Sequence, residues 1–133
     1  RAMERNEKTR ALLAAFGCAL AYLLAGKVLT AVLPQVPEEA ARMWAFVHRC
    51  AAAPIVEELV FRGIIQQLAR PLGERQAVAL QAVLFAVQHR GPAGMAYALV
   101  CGLVLGTIRS RTGSVWPGML LHTLNNLLVF AAG

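Results

Sequence analysis

Apolar residues run almost without interruption from Ala11 to Leu33, a stretch of 23 positions broken only by Lys27. At about 1.5 Å of rise per residue the run exceeds the roughly 30 Å thickness of a bilayer's hydrocarbon core, so it predicts a membrane-spanning helix. Lys27 sits about 9 Å from the end of the run, where its aliphatic stem lets the ammonium reach the interface. A signal peptide also begins with a basic segment, but 23 apolar residues exceed its usual apolar region, and no small-residue cleavage site follows.

The remaining pattern repeats this alternation of apolar runs and short polar breaks. Pro34-Gln-Val-Pro-Glu-Glu39 is a proline-broken turn, and residues 40–70 read as a helix with a kink or break near Pro54. Pro71-Leu-Gly-Glu-Arg75 connects to a short apolar helix over 76–89. Arg90-Gly-Pro-Ala-Gly94 is the next turn, and 95–109 a further helix. Residues 112–114 lead into a last helix over 115–132, with Ser114 as N-cap and Pro117 in its first turn. No alternating run competes with the helices. The expected architecture is therefore an all-α, polytopic transmembrane bundle of about five helices, with a polar site between helices at mid-membrane depth. Ala98, Gly102 and Gly106 recur at four-residue spacing and predict a smooth groove for close helix packing.

Composition strengthens this picture. Of 133 residues, 58% are hydrophobic and 15% charged, which excludes disorder and fits one domain. The expected organisation is a basic cytoplasmic segment at 1–10, followed by one membrane-embedded domain at 11–133. The net charge of +6 comes from 13 Lys+Arg against 7 acids. Eight of the basic residues fall in segments 1–10, 70–75 and 109–111, whereas only Arg42 and Arg90 lie in the opposite connections. This is the bias of the positive-inside rule, so the charge marks a cytoplasmic face, with the N-terminus on that side, rather than a nucleic-acid site. Cys18, Cys50 and Cys101 lack metal-ligand spacing and read as small buried hydrophobes. All seven acids are glutamates, which excludes mechanisms built on aspartate.

Against so apolar a background, ionisable residues inside the helices are functional candidates. Glu57, Glu58, Arg62, His89 and His122 qualify, with Asn126 as a polar companion. Glu57 lies 13 residues from Arg70, His89 lies 13 from Gln76 and His122 lies 11 from Arg111. Those separations correspond to about 16–20 Å from one face, so three helices are expected to present these side chains at a common depth. Glu58 and Arg62 stand at i and i+4 in the favourable order for an ion pair, leaving Glu57 to face elsewhere as a candidate general base. His122 and Asn126 repeat that spacing and could donate to an oxyanion, while Phe85 and His89 place an apolar ring beside an imidazole. Glu57 and His89 could activate water directly, or Glu57, His89 and His122 could hold a divalent metal such as zinc with one position open. Without an HExxH spacing, the sequence leaves both open.

Glu57-Glu58-Leu-Val-Phe-Arg62 is an EExxxR motif, Phe85-Ala-Val-Gln-His89 is FxxxH, and His122-Thr-Leu-Asn-Asn126 is HxxxN. In this order they resemble the CPBP family of intramembrane endopeptidases, the CAAX protease and bacteriocin-processing group also called the Abi domain, over about residues 50–130. The resemblance implies a multi-pass membrane enzyme that hydrolyses a peptide bond in a membrane-associated peptide or protein tail. By the same resemblance Glu57 and His89 activate water, His122 and Asn126 bind the oxyanion, and Glu58 and Arg62 support them. Substrates in such a family include prenylated CAAX-type C-termini, bacteriocin leader peptides and C-terminal sorting tails. Ala- and Arg-rich, Lys-poor usage points to a bacterial inner membrane. The alternative is a non-proteolytic immunity or scaffold protein of the same fold, which would be expected to lose part of the six-residue pattern that this chain keeps whole.

Overall fold

A computed structural model describes residues 1–133 as an all-helical chain without strands. Helix α1 is Ala2–Val32, and α2 is continuous over 38–68, followed by the 3-10 turn Arg70–Leu72. Helix α3 is Glu74–Ala86, α4 is Gly91–Thr112 and α5 is Trp116–Ala132. Five helices match the expected number. Two of them, α1 and α4, are long and apolar enough to cross a membrane by length and composition. The 13 residues of α3 extend only about 20 Å, and α2 is interrupted by buried charge.

The basic segment does not stay outside α1 as an irregular tail. It extends the helix outward, with Lys8 Nζ 2.7 Å from Glu4 Oε1 one turn away. Ala11, Ala15 and Ala19 form the buried face of α1, and their small side chains let it lie close to the second half of α2 and to the Arg70–Leu72 turn. Most other α1 side chains point outward, Leu13 and Val28 among them at 69% and 61% exposure. So large an apolar exterior suits contact with lipid.

Helix α2 does not break at Pro54. A π-helical stretch at His48–Ala52 precedes the proline, and Ala53 N–H bonds to the carbonyl of His48, five residues back. Widening the turn accommodates a residue that has no N–H, while the backbone dihedrals stay helical. A second π stretch, Glu58–Ile65, begins immediately after Glu57. Such π segments are uncommon and concentrate at functional sites.

Helices α3 and α4 form the closest pair. Gly102 faces the Cα and Cβ of Ala82, and a Cβ at position 102 would meet them at 2.9 and 3.0 Å, so only glycine permits this approach. Two buried glutamines fasten α4 to its neighbours: Gln81 Nε2 of α3 donates to the Gly102 carbonyl at 2.7 Å and Gln66 Nε2 of α2 to the Gly106 carbonyl at 2.9 Å. The groove predicted from Ala98, Gly102 and Gly106 is this internal contact. Helix α4 ends at Gly113, whose φ of 70° is the left-handed conformation that lets its N–H reach the Arg109 carbonyl. Ser114 is not the N-cap of α5; that position is Val115, with Pro117 in the first turn as expected. Ser110 Oγ donates to Glu74 Oε2 at 2.9 Å, tying the 109–111 and 70–75 segments together at one end of the molecule.

Candidate functional site

Glu58 and Arg62 are both fully buried, and Arg62 Nη1 lies 3.2 Å from Glu58 Oε1. The guanidinium also sits 4.4 Å over the ring of Phe85. Burying a charge pair costs hydration, which the Phe85 ring face offsets in part for Arg62 and the His122 imidazole for Glu58, while the guanidinium nitrogens find no hydrogen-bond partner. His122 Nδ1–H donates to the same Glu58 Oε1 at 2.8 Å. Glu58 thus does more than neutralise Arg62: it also fixes the orientation of the His122 ring. Helix α5 reaches Glu58 because Gly118, one turn before His122, has no side chain. A Cβ there would stand 2.9 Å from Glu58 Oε2.

The other edge of the His122 ring faces Glu57, with Nε2 3.5 Å from Glu57 Oε2. Glu57 precedes Glu58 on the helix, so it emerges on the open side of the same imidazole. It opens onto a cavity of about 760 Å³ that is also lined by Phe85, His89, His122, Asn126, Arg42 and Arg49. His89 is not on α3. The helix ends at Ala86, and the chain turns through Val87 and Gln88, with His89 N–H bonding to the Ala86 carbonyl at 3.0 Å. The side chain folds back so that Nδ1–H donates to the Phe85 carbonyl at 2.9 Å. Because a carbonyl only accepts, this bond leaves Nε2 of a neutral ring as an open acceptor. Phe85 stands between the two histidines, its ring centroid 4.7 Å from His89 and 5.9 Å from His122.

Asn126 does not bond to His122. Its Nδ2 donates to the backbone carbonyl of Arg49 at 2.9 Å, and its Oδ1 accepts from Asn125 Nδ2 at 3.3 Å. Asn125 Oδ1 in turn accepts a short hydrogen bond from the Tyr97 hydroxyl. Tyr97, Asn125 and the two arginines were not among the sequence candidates. Asn125 had a visible signal, standing beside Asn126 on a helix rich in Leu and Val, but nothing local joins it to Tyr97, 28 residues earlier.

The metal reading fits the side chains less well. Glu57 and His122 approach each other, and the Nδ1 bonds of His122 to Glu58 and of His89 to a carbonyl leave both Nε2 atoms free, as in many metal-ligating histidines, but the ligands do not come together. No group of three His, Cys, Asp or Glu side chains converges as a ligand set. The cysteines are free: Cys50 is buried, and Cys18 and Cys101 are partly exposed, Cys101 onto the cavity.

A helical chain with an apolar exterior around a polar cavity is of the membrane-embedded class, and the cavity's carboxylate and imidazoles are the tools of hydrolysis. Residues 39–128, about two thirds of the chain, match the family model described as Type II CAAX prenyl endopeptidase Rce1-like. The chain belongs to that family, which comprises membrane-embedded CAAX-type proteases acting on membrane-associated peptides. No match was found among curated proteins or among solved structures.

Proposed function

We propose that this protein is an intramembrane endopeptidase in which Glu57 and His89 activate water for attack on a peptide carbonyl in the cavity. The observation that carries this reading is the separation of the two adjacent glutamates. Glu58 is closed in by Arg62 and His122, whereas Glu57 opens onto the cavity that His89, whose Nε2 is free, also lines.

In this scheme Glu57 takes a proton from water as the oxygen attacks the carbonyl carbon, and His89 Nε2 accepts the water's second hydrogen bond and orients it. Charge then develops on the carbonyl oxygen. The amide of Asn126 keeps one N–H for it, since the other is held by Arg49. His122 contributes Nε2–H once that nitrogen holds a proton, and Glu57 Oε2, 3.5 Å away, is the neighbour that can pass one on. Collapse of the intermediate breaks the C–N bond, and the proton taken from water, returned from His122 to Glu57, goes to the leaving amine. Phe85 keeps one wall of the site apolar. The bundle lies in the membrane with the basic end towards the cytoplasm, as a multi-pass protein of a bacterial inner membrane.

The test works without a purified substrate. Membranes from cells producing the wild-type chain and Glu57→Gln are compared by mapping protein termini. The expected result is a set of new termini in the wild type that is missing from the variant. Identical termini in both would remove Glu57 from the chemistry. The immunity or scaffold alternative predicts that second outcome, and no feature of the open cavity favours it.

A further inference from the structure

Starting from the backbone carbonyl of Arg49, each hydrogen bond along one cavity wall determines the next. The carbonyl only accepts, so Asn126 must turn its NH2 towards it, at 2.9 Å. That places Asn126 Oδ1 towards Asn125, which must present its own NH2, at 3.3 Å. Asn125 Oδ1 then faces Tyr97, whose hydroxyl donates to it. The chain runs from α4 through α5 to the first π stretch of α2, and every member of it lines the cavity.

We infer that Tyr97 and Asn125 are positioning residues for Asn126: they lock its amide so that its second N–H is presented to the reacting carbonyl oxygen. An isolated asparagine amide can flip by 180°, exchanging donor for acceptor at little cost. A flipped Asn126 would turn its oxygen lone pairs to the Arg49 carbonyl and lose its place as a donor. The inference rests on the proposed role of Asn126 and names what holds that residue in its working orientation. Tyr97 is half-exposed on a helix that can span the membrane, so its structural reading is an aromatic anchor at the interface. Such an anchor uses the ring, whereas the lock uses the hydroxyl.

Two measurements separate these. The chain holds three asparagines, Asn6, Asn125 and Asn126, so asparagine-selective ¹⁵N labelling in detergent micelles gives three side-chain amide signals. Tyr97→Phe is expected to shift those of Asn125 and Asn126 and leave Asn6 unchanged; unmoved signals would overturn the lock without any substrate. In proteoliposomes, cleavage of an internally quenched peptide with a farnesylated CAAX terminus gives kcat and KM. Asn126→Ala is expected to lower kcat about 100-fold, the range for loss of an oxyanion donor. Tyr97→Phe and Asn125→Asp are each expected to lower kcat about tenfold with KM unchanged, and to add nothing in the Asn126→Ala background, as for residues acting in one network. If Tyr97→Phe changes KM alone, or costs the same with and without Asn126, the lock is wrong while the oxyanion role stands. If Asn126→Ala keeps full kcat, the oxyanion role falls and the lock's catalytic purpose with it.

Discussion

The two edges of the His122 ring face opposite environments. On the Nδ1 side lies a closed compartment holding Glu58 and Arg62, both without exposure to solvent, capped by the Phe85 ring and by the glycine surface of α5 at Gly118. On the Nε2 side lies the cavity, with Glu57, His89 and Asn126 on its walls. Glu57 and Glu58 are consecutive residues with the same side chain, so composition cannot separate them. What separates them is the roughly 100° turn of the helix, which sends one carboxylate towards partners and the other towards space. An enclosed carboxylate and one that opens onto a cavity can therefore share a single imidazole if the ring is gripped on one edge only.

The largest expected effect tests the open side. Glu57→Gln removes the proposed base and keeps the shape, so proteolysis should fall by about a thousandfold or more while the melting temperature in detergent stays near that of the wild type. A parallel loss of stability would mean that Glu57 is part of the closed compartment after all. On the closed side the order reverses. Arg62→Met leaves Glu58 buried without its cation and should destabilise the fold by about 3–5 kcal/mol, read by thermal or denaturant unfolding in mixed micelles. Activity then falls because the folded fraction falls.

Gly118→Ala probes the boundary between the sides. Its Cβ would press on Glu58 Oε2 at 2.9 Å, so the carboxylate must shift and loosen its hold on His122. Overpacking of this kind costs about 1–3 kcal/mol. Cleavage should drop by about tenfold, the order found when a group that orients a functional histidine is disturbed, and a variant with unchanged kcat would show that the grip of Glu58 is dispensable.

The smallest effect lies outside both compartments, where the Ser110 hydroxyl and then Arg70 hold the exposed Glu74 carboxyl below its usual range. A lowered folded-state value means a contribution that is present above the ordinary glutamate pKa near 4.5 and is lost as pH falls through the lower folded value. Unfolding followed between pH 5 and pH 3 should show slightly more acid loss in the wild type than in Glu74→Gln. Equal slopes would remove Glu74 as a link between the basic segments.

Much of this was legible in the sequence for physical reasons that can be named. The apolar run of α1, the small-residue groove of α4 and the i, i+4 pair Glu58–Arg62 are local patterns, each fixed by the helical repeat. The position of His89 was not legible. Its spacing from Phe85 suits a helix, but α3 stops at Ala86 and the imidazole bonds the carbonyl of Phe85 instead. That the distortion expected near Pro54 takes the form of a π stretch at His48–Ala52 was equally hidden, because a π turn is a tertiary adjustment with no composition of its own. His122 and Asn126 share a spacing yet not a partner: one is gripped by Glu58, the other by a carbonyl 77 residues away.

By itself, then, the sequence determined an all-helical chain with an apolar exterior, and it marked the few polar residues that such an exterior makes expensive and therefore meaningful. Helix type and residue identity depend on neighbours three or four positions away, and these a sequence displays directly. Only the tertiary structure decided that Glu58 also grips His122, where His89 points, and that Tyr97 and Asn125 stand behind Asn126. Each of those depends on a partner from another helix, and the distance along the chain to that partner carries no periodic signal.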